Sequence, residues 1–109
     1  PIIDGKYIFL VSDDGYFLCL DRKTGKIIWS TNILKILKEK KRNTKITGFV
    51  MGSGKIYATT LNGFLIISSA TLGNVESYKK IGDSITAPPV ISEGSLYLLT
   101  ENSKVYGFN

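Results

Sequence analysis

Apolar residues in this chain fall into short blocks separated by turn-forming doublets. Asp4-Gly5, Ser53-Gly54 and Glu93-Gly94 form one set of breaks, and Asp14-Gly15, Asn62-Gly63 and Asn102-Ser103 form a second. Glycine, asparagine and aspartate supply the positive φ that a tight hairpin turn requires. The blocks between them are rich in Ile, Val, Tyr, Phe and Leu, so they predict β-strands over 1–3, 7–12, 16–20 and 27–31, then over 46–51, 55–60, 64–68 and 75–80, with three more before residue 109. Runs such as Tyr7-Ile8-Phe9-Leu10-Val11 and Phe64-Leu65-Ile66-Ile67 are apolar at every position rather than at alternate ones. A strand with one wet face alternates, so these strands are expected to be covered on both faces.

The blocks recur. Residues 1–21, 49–69 and 89–109 align as three copies, with Gly54 to Gly94 and Gly63 to Ser103 each 40 positions apart. Gly5 to Gly54 is 49 positions, so the first copy is expected to carry about nine extra residues. Four strands in about 40 residues is the size of a β-propeller blade. The expected fold is therefore all-β, a partial propeller of consecutive four-stranded antiparallel blades packed face to face. Its expected division is 1–45 for the first blade with an insertion, 46–81 for the second, and 82–109 for an incomplete third. A closed propeller needs four or more blades, roughly 160 residues at this period. With Pro1 at its start and Asn109 inside a blade, the chain is expected to be a C-terminal piece or remnant of a larger protein.

Charge changes the picture at one place. The net charge is +5, and between Leu34 and Thr47 lie Lys35, Lys38, Lys40, Lys41, Arg42 and Lys45 against Glu39 alone. The rest of the chain is balanced, so the whole excess belongs to the insertion. Nucleic-acid binders spread basic residues along a face and interleave aromatics for stacking. The basic segment contains no aromatic, and no nucleic-acid partner is expected. Ile33, Leu34, Ile36 and Leu37 ahead of the basic run suit one or two helical turns against a blade edge. Two readings of Lys38, Lys40, Lys41 and Arg42 stay open: a solvated loop, or a contact for an anionic partner, a membrane surface included.

Composition removes several chemistries. There is no His and only one Cys, Cys19, so an internal disulfide, a structural zinc site and a His-based triad are excluded within the chain. No apolar run approaches the roughly 18 residues of a membrane-spanning helix. Asp13-Asp14 is the one carboxylate pair, and its place before Gly15 reads as turn chemistry rather than a calcium site.

The stretch from Cys19 to Trp29 resembles the tryptophan-docking motif of PQQ-like propeller repeats, Ala-x-Asp-x-x-Thr-Gly-x-x-x-Trp. Asp21, Thr24, Gly25 and Trp29 fall in place, with Cys19 for the alanine. In the second copy Ser69 stands for the aspartate, Leu72 for the threonine, Gly73 for the glycine, and Tyr78, one place late, for the tryptophan. In the third, Asn109 occupies the aspartate position. Physically, Asp21 and Thr24 are expected to satisfy turn amides, Gly25 to adopt a left-handed conformation, and Trp29 to fill the gap between blades.

The resemblance is to BamB-type outer-membrane-protein assembly lipoproteins, and it implies a non-catalytic interaction scaffold that needs no cofactor. It implies outer-membrane assembly subunits as protein partners, and a periplasmic location with the full-length protein anchored to the outer membrane. Two alternatives share the repeat: a fragment of a PQQ-dependent quinoprotein dehydrogenase, and an extracytoplasmic sensor propeller. The dehydrogenases bring a vicinal cysteine pair, calcium-binding acids and a tryptophan under the quinone. Here one cysteine is present and the one tryptophan is assigned to docking, so no catalytic, cofactor or metal residue is expected. An isolated partial propeller also exposes strand edges and a sheet face, and self-association is expected.

Overall fold

The computed structural model describes residues 2–12, 15–33, 45–102 and 104–108. These fold into three antiparallel sheets made of strands that follow one another in sequence. The first holds β1 (Ile2–Asp4), β2 (Tyr7–Val11), β3 (Tyr16–Asp21) and β4 (Ile27–Asn32). The second holds β5 (Ile46–Gly52), β6 (Lys55–Thr60), β7 (Phe64–Ser69) and β8 (Val75–Lys80). The third holds β9 (Val90–Ser92), β10 (Ser95–Leu99) and β11 (Val105–Phe108). The expected all-β architecture of consecutive antiparallel sheets is therefore present, and no long helix occurs among the described residues.

Two hydrophobic cores lie between the sheets, one on each side of the second. Phe9, Phe17 and Cys19 of the first sheet meet Ile56, Ala58, Phe64 and Ile66 of the second. The opposite side of the second sheet offers Leu65 with Val50, Tyr57 and Ile67, and these meet Leu96, Leu98 and Ile85 of the third region. Side chains alternate along a strand, so Phe64 and Ile66 fall in one core while Leu65 and Ile67 fall in the other. This is why β7 is apolar at successive positions, and at about 10 Å per stacked sheet it sits at the centre of the stack.

Two expectations are corrected by the backbone. The first two copies are related by 48 positions rather than 49, so the first carries eight extra residues. Arg22 N donates to Lys6 O at 2.7 Å as Ala70 N donates to Gly54 O at 2.9 Å, and Ile33 N donates to Gly15 O as Ile81 N does to Gly63 O. Gly5 is thus the counterpart of Ser53, and both have positive φ (58° and 52°) at the first turn position. The apolar run Tyr7–Val11 was expected to be covered on both faces, yet only Phe9 in it is buried. Its sheet is first in the row and, among the described residues, joins a core on one side only, and Ile8 and Leu10 are half-exposed. Of the helical turns expected from Ile33 to Arg42, all but Ile33 lie outside the described residues, as does the Asp13-Asp14 pair; Ile33 is fully buried in the first core.

Candidate functional site

The docking motif begins with a turn. Asp21, last in β3, accepts backbone N–H bonds at Oδ1 from Lys23 (2.9 Å) and Thr24 (3.0 Å). Those two bonds, with the nearby Lys6 charge, hold its carboxyl below the usual aspartate range. Thr24 Oγ1 accepts from Lys26 N at 3.3 Å, and Gly25, at φ 72°, donates N–H to Asp21 O at 2.8 Å. The polar groups of the motif are therefore engaged by the turn's own backbone.

From this turn β4 runs back along β3, with Ile28 bulged out between the pairs Cys19–Trp29 and Leu20–Ile27. The extra residue keeps Trp29 on the same face as Cys19 and Phe9, the face that meets the second sheet. The indole lies 6.1 Å from the Phe9 ring, centroid to centroid. Its other contact is Gly73, in the β7–β8 turn, where a Cβ would stand 2.5 Å from Cε3 and 2.6 Å from Cδ2 of the indole. Trp29 bridges two blades by resting on bare backbone. Around it opens a cleft of about 490 Å³, lined by Phe9, Cys19 and Trp29 on one wall and Met51, Ala70 and Thr71 on the other. Cys19 is buried there, and desolvation pushes its thiol above the ordinary range.

The second copy reproduces the turn with different chemistry. Ser69 Oγ accepts from Thr71 N (3.2 Å) and Leu72 N (3.1 Å), and Gly73 donates to Ser69 O at 2.9 Å. The tryptophan has no counterpart in that copy. Tyr78, the expected stand-in, pairs with Ile66 and lies 6.0 Å from the Phe64 ring, on the side facing the first sheet. By the 48-residue offset the position equivalent to Trp29 is Ser77. The seam to the third sheet is instead crossed by Lys79, whose Nζ stands 5.0 Å from the centre of the Phe108 ring.

A further recurring device went unnoticed in the sequence. Ser12, Thr60 and Thr100 each present Oγ to the amide four residues on, at Tyr16 (3.1 Å), Phe64 (3.0 Å) and Lys104 (3.3 Å). A hydroxyl four or five residues before a strand restarts, at Ser12, Thr60 and Thr100, was the available signal. These hydroxyls mark the end of each sheet opposite the docking turn. The described flanks of the basic segment, Ile33 and Lys45, are at this same end, where β4 ends and β5 starts. Lys38, Lys40, Lys41 and Arg42 themselves lie outside the described residues. The structure thus brings Asp21, Thr24, Gly25 and Trp29 into one turn-and-strand unit, with the flanks of the basic segment at the other end of the sheets.

Comparison with known proteins agrees with this geometry. Residues 1–31 match the family described as outer membrane protein assembly factor BamB. The whole chain is similar to the outer membrane protein assembly factor BamB of Nitrosomonas eutropha, 24% identical over 110 residues, and it spans only 24% of that relative's length. Among solved structures, BamB from Moraxella catarrhalis superposes with a TM-score of 0.75 at 17% identity, over 94% of this chain and 29% of that one. The WD40 β-propeller domain of Doa1 superposes at 0.77 and 17% identity, over 100% of this chain and 35% of that one. At such identities the superpositions show the fold, a part of a β-propeller. The chain is part of a β-propeller that is similar to BamB-type proteins, with the family match confined to residues 1–31.

Proposed function

We propose that this chain is part of a non-catalytic protein-binding scaffold in outer-membrane protein assembly, located in the periplasm, with the complete gene product anchored to the outer membrane. Its proposed partners are assembly subunits, and Lys38, Lys40, Lys41 and Arg42 are its proposed contact with an anionic partner surface. One observation carries the reading beyond the resemblance: the motif's own polar groups are consumed internally. Asp21 spends its carboxylate on two backbone amides and Thr24 its hydroxyl on a third, while Trp29 lies between sheets against Gly73. A carboxylate held ionised by turn amides is a poor general base, since proton transfer favours a pKa near working pH. Loops at the ends of such sheets are where binding residues usually sit.

The test pairs two measurements on the complete gene product. Titration with pyrroloquinoline quinone and calcium is expected to give no saturable binding and no dye-linked dehydrogenase activity. Capture from a bacterial envelope extract is expected to recover outer-membrane assembly subunits, and joint replacement of Lys38, Lys40, Lys41 and Arg42 by Ala is expected to weaken that capture. Saturable quinone binding with turnover would make the chain part of a quinoprotein dehydrogenase instead.

A further inference from the structure

The seam between the first two sheets holds a row of three aromatic rings beside a single acid. Asp4 pairs with Tyr7, Phe9 with Cys19 and Cys19 with Trp29, so these side chains share the side of the first sheet that meets the second. Phe9 lies 6.3 Å from Tyr7 with 56° between ring planes, and 6.1 Å from Trp29 with 50°. Phe9 is buried, whereas Tyr7 is 42% exposed and Trp29 partly buried. The rings form one wall of the cleft of about 490 Å³ and face Met51, Gly54 and Ala70 on the other. Both walls belong to four-stranded sheets, so the cleft lies between two blades and not at an end of the row.

Asp4 is the one charged residue lining that cleft, and its carboxylate makes no ion pair among the described residues. Aromatic faces attract a cation, and a carboxylate beside them adds its own charge. The second seam has a matching cleft, lined by Gly52, Tyr57 and Ile67, which lie 48 positions after Asp4, Phe9 and Cys19. There the chain supplies the cation itself: Lys79 lines the cleft and places Nζ 5.0 Å from the centre of the Phe108 ring. The residue 48 positions before Lys79 is Thr31, and no Lys or Arg lines the first cleft. Rings and acid stand ready there with no basic side chain of the chain's own between them.

We propose that the first cleft takes a lysine or arginine side chain from a partner polypeptide, an inference that deepens the protein-binding reading above and rests on it. The aliphatic stem lies against Trp29 and Met51, and the charged head between the Tyr7 ring and the Asp4 carboxylate. Long basic side chains divide in this way, apolar along the stem and charged at the tip. Register sets Asp4 directly opposite Tyr7, where paired Cβ atoms stand about 5 Å apart, so one head group reaches both. An acidic side chain would meet the Asp4 charge, and an apolar one would desolvate that carboxylate without pairing it. The cleft is at the docking-turn end of the sheets, away from the described flanks of the basic segment.

Trp29 is the one tryptophan of the chain, so its fluorescence reports on this cleft alone. Titration of the purified chain with an end-capped pentapeptide carrying one arginine, or one lysine, among glycines is expected to change that fluorescence saturably, with a Kd on the order of millimolar. The same peptide with citrulline, of like shape but uncharged, should bind about fivefold more weakly or less, and one with glutamate should not bind. Asp4→Asn, which keeps a turn-favouring Asn-Gly doublet, and Tyr7→Leu should each weaken binding of the arginine peptide about two- to fivefold at low salt. Tyr7→Met takes the place of Tyr7→Leu if that variant loses its native circular dichroism. Absence of saturable binding, citrulline or glutamate peptides that bind as well as arginine, or folded variants that bind as the wild type does would each overturn the proposal. Tetramethylammonium binding as tightly as the peptides would overturn it too, in favour of a free organic cation. No assembly subunit or quinone enters the titration, so its failure leaves the scaffold reading standing, whereas quinone turnover by the complete gene product would remove that reading whatever the titration gives.

Discussion

Trp29 and Gly73 fit together by shape at the seam of the first two blades: the indole occupies the space a side chain at residue 73 would take. Gly73 also sits at φ 79°, where an L side chain is strained. Gly73→Ala should therefore destabilise the chain by about 2 kcal/mol or more, from backbone strain and displacement of the indole together. Trp29→Ala should cost about 3 kcal/mol, the low end for truncating a large aromatic, because the indole is only partly buried. In the Trp29→Ala background the cost of Gly73→Ala should shrink to backbone strain alone, and denaturant melts of the four chains in the cycle would show that non-additivity. Asp21 makes a different forecast. Its folded-state pKa is depressed, so its contribution is present above the pKa it has when unfolded and is lost as pH falls through the folded value. Asp21→Asn should lower the melting temperature near neutral pH, and the gap between the two proteins should close below about pH 4. The sequence disclosed Trp29 through its motif, but the tryptophan's partner was hidden. Gly73 looked like a second copy's turn residue, and no local pattern says that another strand's indole rests on it. Tyr78 was misread for the opposite reason: aromatic character was visible, whereas the side of the strand it occupies depends on register.

Strand positions were legible because each turn doublet states where the chain must reverse. Which faces those strands bury was less so. Tyr7–Val11 and Phe64–Ser69 look alike as apolar runs, yet the first belongs to the end of the row and the second to its middle. The hydroxyls of Ser12, Thr60 and Thr100 were overlooked because serine and threonine are common in hairpins, and only their shared offset betrays a common role. That role differs in weight with burial. Thr60 is fully buried and satisfies the buried Phe64 amide, whereas the Ser12 bond is exposed. Thr60→Ala should cost about 1 to 3 kcal/mol by leaving a buried donor unpaired. Thr60→Ser should recover most of the loss, and Ser12→Ala should fall well below it. Thermal melts of the three variants against the wild type would rank them.

At the scale of the whole molecule, sheets joined only to their neighbours behave as a one-dimensional array, in which stability is a sum of units and seams. Among the described residues, the second sheet alone contributes to both cores, and no residue of the first sheet shares a core with the third. Damage to one seam should therefore stay local. Leu98→Ala, truncating a side chain buried between the second and third sheets, should cost about 2 to 5 kcal/mol across that seam. Its effect on amide exchange should be large in β9 to β11 and small in β2 and β3. Phe17→Ala, on the other side, should show the reverse, loosening β2 to β4 while β10 and β11 keep their protection. In the unaltered chain β6 and β7, packed on both faces, should be the slowest to exchange of all, since local opening there must break both cores. If either substitution raised exchange equally in the first and third sheets, the chain would be unfolding as one cooperative unit, and the seams could not be independent.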